Sequence, residues 1–137
     1  MSYRLIQNIL DTQLATVSDL PVLIKQNESG ALEARYDRYV RSTLLPAETV
    51  DLTMGLSGFD QMQGLFQIDV FMPADDGIDG SNYMADQIIA AFPSSNTLTS
   101  GSVSVRILKV WLEPSQQSTN YLMTPVMIRW QTCIARP

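Results

Sequence analysis

Residues 64–73 read GLFQIDVFMP, and this stretch determines most of the predicted fold. Its side chains alternate with a period of two, as they do in a strand with one buried face. The second face mixes Gln67 and Asp69 with apolar residues, which indicates partial exposure. Pro73 ends the strand because it lacks the backbone N–H that a further ladder bond needs. The predicted core face comprises Phe66, Ile68, Val70 and Met72.

An acidic loop and a helix follow this strand. The loop 74–80 carries Asp75, Asp76 and Asp79, whereas a phosphate-binding loop at this place would avoid negative charge. Residues 81–92 have the spacing of an amphipathic helix, and Asp79 or Ser81 is expected to cap it. The apolar row of this helix comprises Met84, Ile88 and Phe92.

The flanking sequence supplies a second helix and further strands. Residues 3–17 have apolar residues at helical spacing, and a short strand follows from residue 21. A strand is predicted over 35–45, then a long loop over 46–63 with a possible short strand near its start. The last third predicts an antiparallel pair, 102–112 and 121–134, in which Pro125 indicates a sheet edge or a bulge.

These elements predict one α+β domain over residues 1–137. Two helices would pack on one face of a mostly antiparallel sheet of about five strands. The even-numbered residues of 64–73 should meet the apolar rows of both helices. The predicted helix contacts of that strand are Ile6, Leu10, Ile88 and Phe92.

The composition narrows the possible chemistry. The 137 residues contain no histidine, which excludes histidine-based nucleophile pairs and histidine metal sites. The one cysteine, Cys133, cannot form an intrachain disulfide and is expected to be a small buried residue. No apolar run is long enough for a membrane span, so no membrane partner is predicted. An enzyme would have to rely on carboxylates, lysine or tyrosine, and the preferred interpretation is a protein that is not an enzyme and has no cofactor or metal.

The charges are unevenly distributed along the chain. Residues 42–105 contain eight acidic residues and no Lys or Arg, although the chain as a whole has nine basic and 14 acidic residues. A solvated acidic surface is one interpretation. The other is a subunit with two unlike poles, which suits head-to-tail association into a ring.

Several charged residues are candidates for a site. Arg35, Arg38 and Arg41 could bind phosphate, but a strand directs residues 35 and 38 to opposite faces, which favours subunit contacts. Asp69 could pair with Asp86 of the helix as two catalytic carboxylates, or lie against a neighbouring subunit.

The acidic loop partly matches the pattern of a calcium-binding loop. It lacks an oxygen side chain at the third position and has Asp in place of the final Glu, so helix capping is the preferred interpretation. The residues that would take part are Asp75, Gly77, Asp79, Gly80 and Asp86.

The chain resembles the tail-terminator, or tail-completion, proteins of long-tailed bacteriophages, the lambda-like minor tail protein family. The resemblance covers roughly residues 1–92. It rests on the N-terminal amphipathic helix leading through PVLIKQNE (21–28), on RYVRSTLLP (38–46), and on GLFQIDVFMP with the loop and MADQIIAAF (84–92) that follow.

The resemblance implies a virion structural protein of α+β fold that forms a hexameric ring. Such rings lie at the head-proximal end of the tail, stop polymerisation of the tail tube protein and meet the head-completion protein. Assembly takes place in the host cytoplasm, and DNA passes through the lumen without specific binding. On this view Asp75, Asp76 and Asp79 either line the lumen and repel DNA or meet arginines of the next subunit. A small carboxylate-based enzyme or ligand-binding domain is the alternative.

Overall fold

The computed structural model describes residues 3–17, 20, 22–24, 38–47, 50–51, 59–73, 78–100, 103–117 and 121–135. Two helices and eight strands form one α+β fold. Their order along the chain is α1 (Tyr3–Leu14), β1 (Val22–Ile24), β2 (Tyr39–Pro46), β3 (Val50–Asp51), β4 (Phe59–Pro73), α2 (Asp79–Ala91), β5 (Thr97–Ser100), β6 (Val103–Leu112), β7 (Gln116–Gln117) and β8 (Tyr121–Ala135).

The sheet has the strand order β1-β2-β4-β8-β6-β5. The two-residue strands β3 and β7 pair with β4 and β8. All pairs are antiparallel except β1 with β2. The central ladder joins β4 to β8 over 15 residue pairs, from Phe59 opposite Ala135 to Pro73 opposite Tyr121. This ladder holds the first half of the chain to its C-terminal strands.

Both helices cover the same face of the sheet, as predicted. Helix α1 contacts β5 and β6, and α2 contacts β4, β6 and β8. The Gln13 side-chain amide donates to the Ala91 carbonyl at 2.7 Å, which ties the two helices together. The predicted core is confirmed, since Phe66, Ile68, Val70 and Met72 of β4 and the apolar rows of both helices lie in one buried cluster. The rings of Phe66 and Phe92 are 6.4 Å apart within it.

Gly64 of β4 lies where β2 and the side chain of Trp130 approach the strand closely. A Cβ at this position would meet the Leu45 carbonyl oxygen, the Pro46 Cα at 2.9 Å and the Trp130 Cζ2 at 3.0 Å. Only glycine therefore lets β2 and the indole of Trp130 approach β4 this closely.

The structure corrects several predicted boundaries. Helix α1 ends at Leu14, and a turn carries the chain to Val17, which still packs in the core. Strand β4 begins at Phe59 rather than at residue 64, because the long β8 strand supplies pairing partners for those earlier residues. The predicted loop 46–63 therefore includes strand residues, as well as β3, and its residues 48–49 and 52–58 lie outside the described part of the chain.

Of the two alternatives predicted for Pro125, the sheet edge is wrong, because Pro125 lies in the interior strand β8, whereas the bulge agrees with the structure, because three residues, 113–115, lie opposite residues 124–125 of β8. Its carbonyl accepts from the Glu113 N–H at 3.0 Å, so both its carbonyl and its nitrogen face the β6 side. On that side β6 ends at Leu112 and β7 begins at Gln116. The nitrogen of Pro125, which carries no hydrogen to donate, thus faces the gap between β6 and β7. On the other side of β8 the ladder with β4 continues past Pro125.

Strand β6 contains a bulge between Ile107 and Lys109. Before the bulge, Val103, Val105 and Ile107 face the core. After it, the register with β8 shifts by one residue, and Val110 packs against the core instead. Lys109 and Trp111 consequently lie on the opposite face of the sheet.

Candidate assembly interface

Among the described residues, α1 and α2 cover one face of the sheet, and the opposite face, which neither helix covers, is called here the open face. It is formed by the odd-numbered residues of β2, β4 and β8 and by the residues of β6 that lie opposite them. Two of its rows cross the sheet from β2 to β6. These rows are Leu45, Leu65, Arg129 and Lys109, then Thr43, Gln67, Met127 and Trp111.

Two cations share one indole on the open face. Lys109 and Arg129 are directly opposite each other on β6 and β8. The Lys109 Nζ lies 5.6 Å, and the Arg129 Cζ 5.5 Å, from the centre of the Trp111 ring. The Trp111 Nε1 donates to the Glu113 carboxylate at 2.8 Å, which fixes the orientation of the ring. Cation–π attraction holds both charges in place although like charges repel across a strand pair.

An aromatic cluster lies at the other end of the open face. Tyr39 and Phe71 are stacked with their ring centres 4.3 Å apart, and Tyr121 meets both edge-on. The Arg41 guanidinium lies 5.5 Å from the centre of the Phe71 ring. Tyr39 is almost completely buried, although it lies on the face of the sheet opposite α1 and α2. Burial raises the pKa of Tyr39, and the nearby Tyr121 and Asp69 raise it further.

Asp69 is a buried carboxylate within the open face. It is 6% exposed and lies directly opposite Arg41 on β2. Burial raises the pKa of Asp69, whereas a hydrogen bond from the Gln67 amide at 2.7 Å and the charge of Arg41 act in the opposite direction. Desolvation of the charged form is the dominant effect.

The exposed side of α2 is acidic and apolar. Asp79, Tyr83 and Asp86 recur at spacings of four and three, which places them on one stripe of the helix. All three are exposed, Tyr83 by 50%, and Ile78 beside them is 47% exposed. The predicted capping of this helix is wrong, because the N-cap residue is Ile78 and makes no side-chain cap bond, and Ser81 is buried. Asp79 instead lies in the first turn, where the helix dipole favours its charge.

The structure separates several residues that the sequence analysis grouped together. Arg38 is exposed just before β2, and Arg41 is half-buried on the open face. Asp69 and Asp86 lie on opposite sides of the sheet, so the suggested carboxylate pair does not form. Cys133, expected to be buried, is exposed near the end of β8. Arg35, Asp75, Asp76 and Gly77 lie outside the described residues.

Two classes of site have no support in the described part of the chain. Over those residues no group of three or more Cys, Asp or Glu side chains could hold a metal ion. No helix among them is long and apolar enough to cross a membrane.

Sequence reasoning missed Lys109, Trp111 and Arg129 as a group. A signal for them is present in SVSVRILKVWL (102–112), where the apolar alternation changes phase around Leu108. Such a change of phase is the sequence signature of a bulge. The pairing of Lys109 with Arg129 depends on the register between β6 and β8, which the alternation does not specify.

The comparisons with known proteins give a family and a fold. The family model described as "Phage tail terminator protein" matches residues 5–130. No curated protein gives a significant match. Fifteen chains of solved structure match. One of them, whose name states no function, aligns with a TM-score of 0.71 and 23% sequence identity over 96% of each chain, which shows a shared fold.

Proposed function

The chain belongs to the phage tail terminator family, a structural rather than enzymatic kind of protein with a role in the phage tail, and we propose that it forms a ring that caps the tail tube. In this proposal the ring, a hexamer, ends polymerisation of the tube and provides the joining surface for the head. Its partners are the tail tube protein on one side and the head-completion protein on the other. It assembles in the host cytoplasm and remains at the head-proximal end of the virion tail.

The family match over residues 5–130 is the observation that carries this proposal. The form of the subunit is consistent with it. The open face carries cations held on aromatic rings, and α2 on the other side carries exposed acids. Unlike surfaces on opposite sides of one subunit allow each copy to bind the next in the same way, and such contacts close into a ring when the rotation permits.

The acidic loop before α2 has a place in this proposal. Asp75, Asp76 and Asp79 either face the lumen or meet cations of a neighbouring subunit. Carboxylates along a lumen would repel the DNA backbone and let DNA slide through without the attraction that basic surfaces exert. The −5 net charge of the chain is in line with a protein that does not retain DNA.

The test is polymerisation of the purified tail tube protein with and without this chain. Negative-stain electron microscopy should show tubes that stop growing, each capped by a ring at one end, when the chain is present. An unrelated acidic protein of similar size is the control and should leave tube growth unchanged. Tubes that grow equally long with and without the chain, and that carry no cap, would contradict the proposal.

The same proposal has a test in the phage. Deletion of the gene should give tails that exceed their normal length and do not join heads. Expression of the wild-type chain in the host should restore tail length and joining together. Normal, head-joined tails in the deletion would show that another protein ends the tube.

A further inference from the structure

We infer that Lys109, Trp111 and Arg129 form a docking site for the acidic stripe of α2, Asp79–Tyr83–Asp86, on a neighbouring copy of this chain. The inference deepens the proposed function, since it assigns the two surfaces through which subunits of the ring would meet. The contact is specified by the charged groups on each side, two cations on the docking site and two carboxylates on the stripe.

The docking site holds two cations close together and ready for a carboxylate. Lys109 and Arg129 lie directly opposite each other, and like charges in that position repel. Among the described residues neither forms an ion pair, and the contacts found for both are with the Trp111 ring. A carboxylate placed between them would remove the repulsion and add charge-assisted hydrogen bonds.

The surroundings of the two cations suit a protein partner. Arg129 is also opposite Leu65, whose partner on β2, Leu45, is 39% exposed. Trp111 is half-buried and supplies a flat apolar surface next to both charges. Aromatic and arginine side chains with apolar neighbours are the composition expected at the centre of a protein interface.

The acidic stripe offers the complementary chemistry. Seven residues of helix place Asp79 and Asp86 about 10 Å apart on one side, with Tyr83 between them. No residue of α2 is basic, because residues 42–105 contain no Lys or Arg. The two cations therefore meet no like charge on the helix, and Tyr83 and Ile78 supply apolar area.

The positions of the two surfaces make this contact one that can repeat. The docking site is on the open face, and α2 covers the other face of the same sheet. A copy that receives α2 of one neighbour thus keeps its own α2 available for the next. A second copy is favoured over nucleic acid as the occupant because this chain itself carries the matching acids, whereas its overall charge of −5 opposes binding to DNA.

The experiment uses two charge-reversed variants of the full chain. Variant A carries Lys109→Glu and Arg129→Glu, and variant B carries Asp79→Lys and Asp86→Lys. Each is added to preformed tail tubes and also studied alone by sedimentation velocity and native mass spectrometry. Arg4→Glu, an exposed change on α1 away from both surfaces, is the control for altered net charge.

Each variant alone should need at least about tenfold more protein than wild type for half-maximal assembly, which corresponds to about 1.4 kcal/mol. A mixture of A and B should assemble again, because the acidic docking site of A fits the basic helix of B and the unaltered pair also fits. Mass spectrometry should find A and B in equal numbers in the rescued rings. Circular dichroism of each variant establishes that the monomer is folded, so rescue cannot be confused with misfolding.

The outcomes separate the inference from the proposed function. If wild type caps tubes and A and B assemble like wild type, the docking site is wrong and the ring proposal stands. If A and B fail and their mixture also fails, these four residues do not pair and the inference is overturned. If A assembles normally but binds labelled duplex DNA more weakly than wild type, the site serves nucleic acid instead. A wild type that neither forms oligomers nor caps tubes overturns both.

Discussion

Asp69 and Arg41 lie directly opposite each other across the β2–β4 pair, and burial nevertheless raises the pKa of Asp69. The arginine does not compensate fully for the water that the carboxylate loses. The charged form of Asp69 is therefore less favourable in the folded chain than in the unfolded chain. This relationship has a consequence for stability that can be measured.

Asp69→Asn should leave the free energy of unfolding at pH 7 at least as high as that of wild type. The folded pKa of Asp69 is above its ordinary value of 3.8, so the folded chain takes up a proton at a higher pH than the unfolded chain does. Wild type consequently gains stability relative to the variant as the pH falls through the folded pKa, and the gain is complete below the unfolded pKa. Urea unfolding of both proteins between pH 3.5 and 7 measures the difference.

Asp86→Asn is the matched control for this prediction. It removes the same charge from an exposed position on α2, where no comparable burial exists. The comparison of the two variants shows how much of the change in Asp69→Asn comes from the loss of one negative charge and how much from its burial. A loss of more than about 1.5 kcal/mol in Asp69→Asn at pH 7, the lower end for a hydrogen bond to a charged group, would show that the ion pair with Arg41 outweighs burial.

Gly64→Ala and Gly80→Ala should change stability in opposite directions. The first places a Cβ against the backbone of Leu45 and Pro46 and against Trp130, and this overpacking should cost about 1–3 kcal/mol. The second adds a methyl group near the start of α2 with nothing within 4 Å, and alanine should gain about 0.4–1 kcal/mol there. The changes in unfolding free energy follow from the midpoints of urea unfolding, provided that the dependence of this free energy on urea concentration is the same in all proteins. Equal effects of the two substitutions would contradict this account of Gly64.

Ile68→Ala should lower the free energy of unfolding by about 2–5 kcal/mol, because the side chain is completely buried between the helices and the sheet. Leu5→Ala is the comparison, since Leu5 on α1 is 42% exposed and should change stability by less than about 0.5 kcal/mol. Guanidinium unfolding followed by circular dichroism measures both variants. Similar losses in the two would indicate that the predicted core face has been assigned to the wrong side of the strand.

Arg38→Glu and Arg41→Glu should differ in their effect on the isolated subunit. Arg38 is exposed, so its reversal should leave the melting temperature nearly unchanged. Arg41→Glu would place a second carboxylate opposite buried Asp69 and remove the cation from the Phe71 ring, and it should lower the melting temperature by several degrees. Thermal unfolding of both variants measures this difference in melting temperature. The Arg38 variant, which should stay folded, can then be tested by sedimentation for a role of Arg38 in assembly.

The layers of this fold could be predicted from sequence because their residues repeat with clear periods. The alternation in 64–72 identified the buried face of β4, and the rows in both helices identified the surface that covers it. The boundaries were less accurate. Gly64 interrupts the apolar row of even-numbered residues near the start of β4, and only Met62, between Gln61 and Gln63, precedes it as a buried apolar residue among the residues whose burial is described. Those residues form a strand because β8 pairs with them, and that partner is distant in sequence.

The candidate interface was harder to predict for a related reason. Arg41 and Asp69 were each identified as possible interface residues, but their pairing follows from the register of two strands. Lys109 and Arg129 meet only because β6 and β8 are aligned after a bulge. Charge counts along the chain indicated two unlike poles, and three-dimensional pairing was needed to specify which cations are adjacent.

The bulge at Leu108 also bears on how this protein can change during evolution. Ile107 faces the core and Lys109 the open face, and they pair with neighbouring residues of β8. Loss of the single codon for Leu108 would therefore remove the bulge and leave Lys109 and Trp111 on the open face and Val110 toward the core. Point substitutions at Lys109 or Arg129 alter the charge alone. Lineages are thus expected to vary these two side chains together with Asp79 and Asp86 of α2, whereas the extra residue at the bulge can be lost without loss of the docking site.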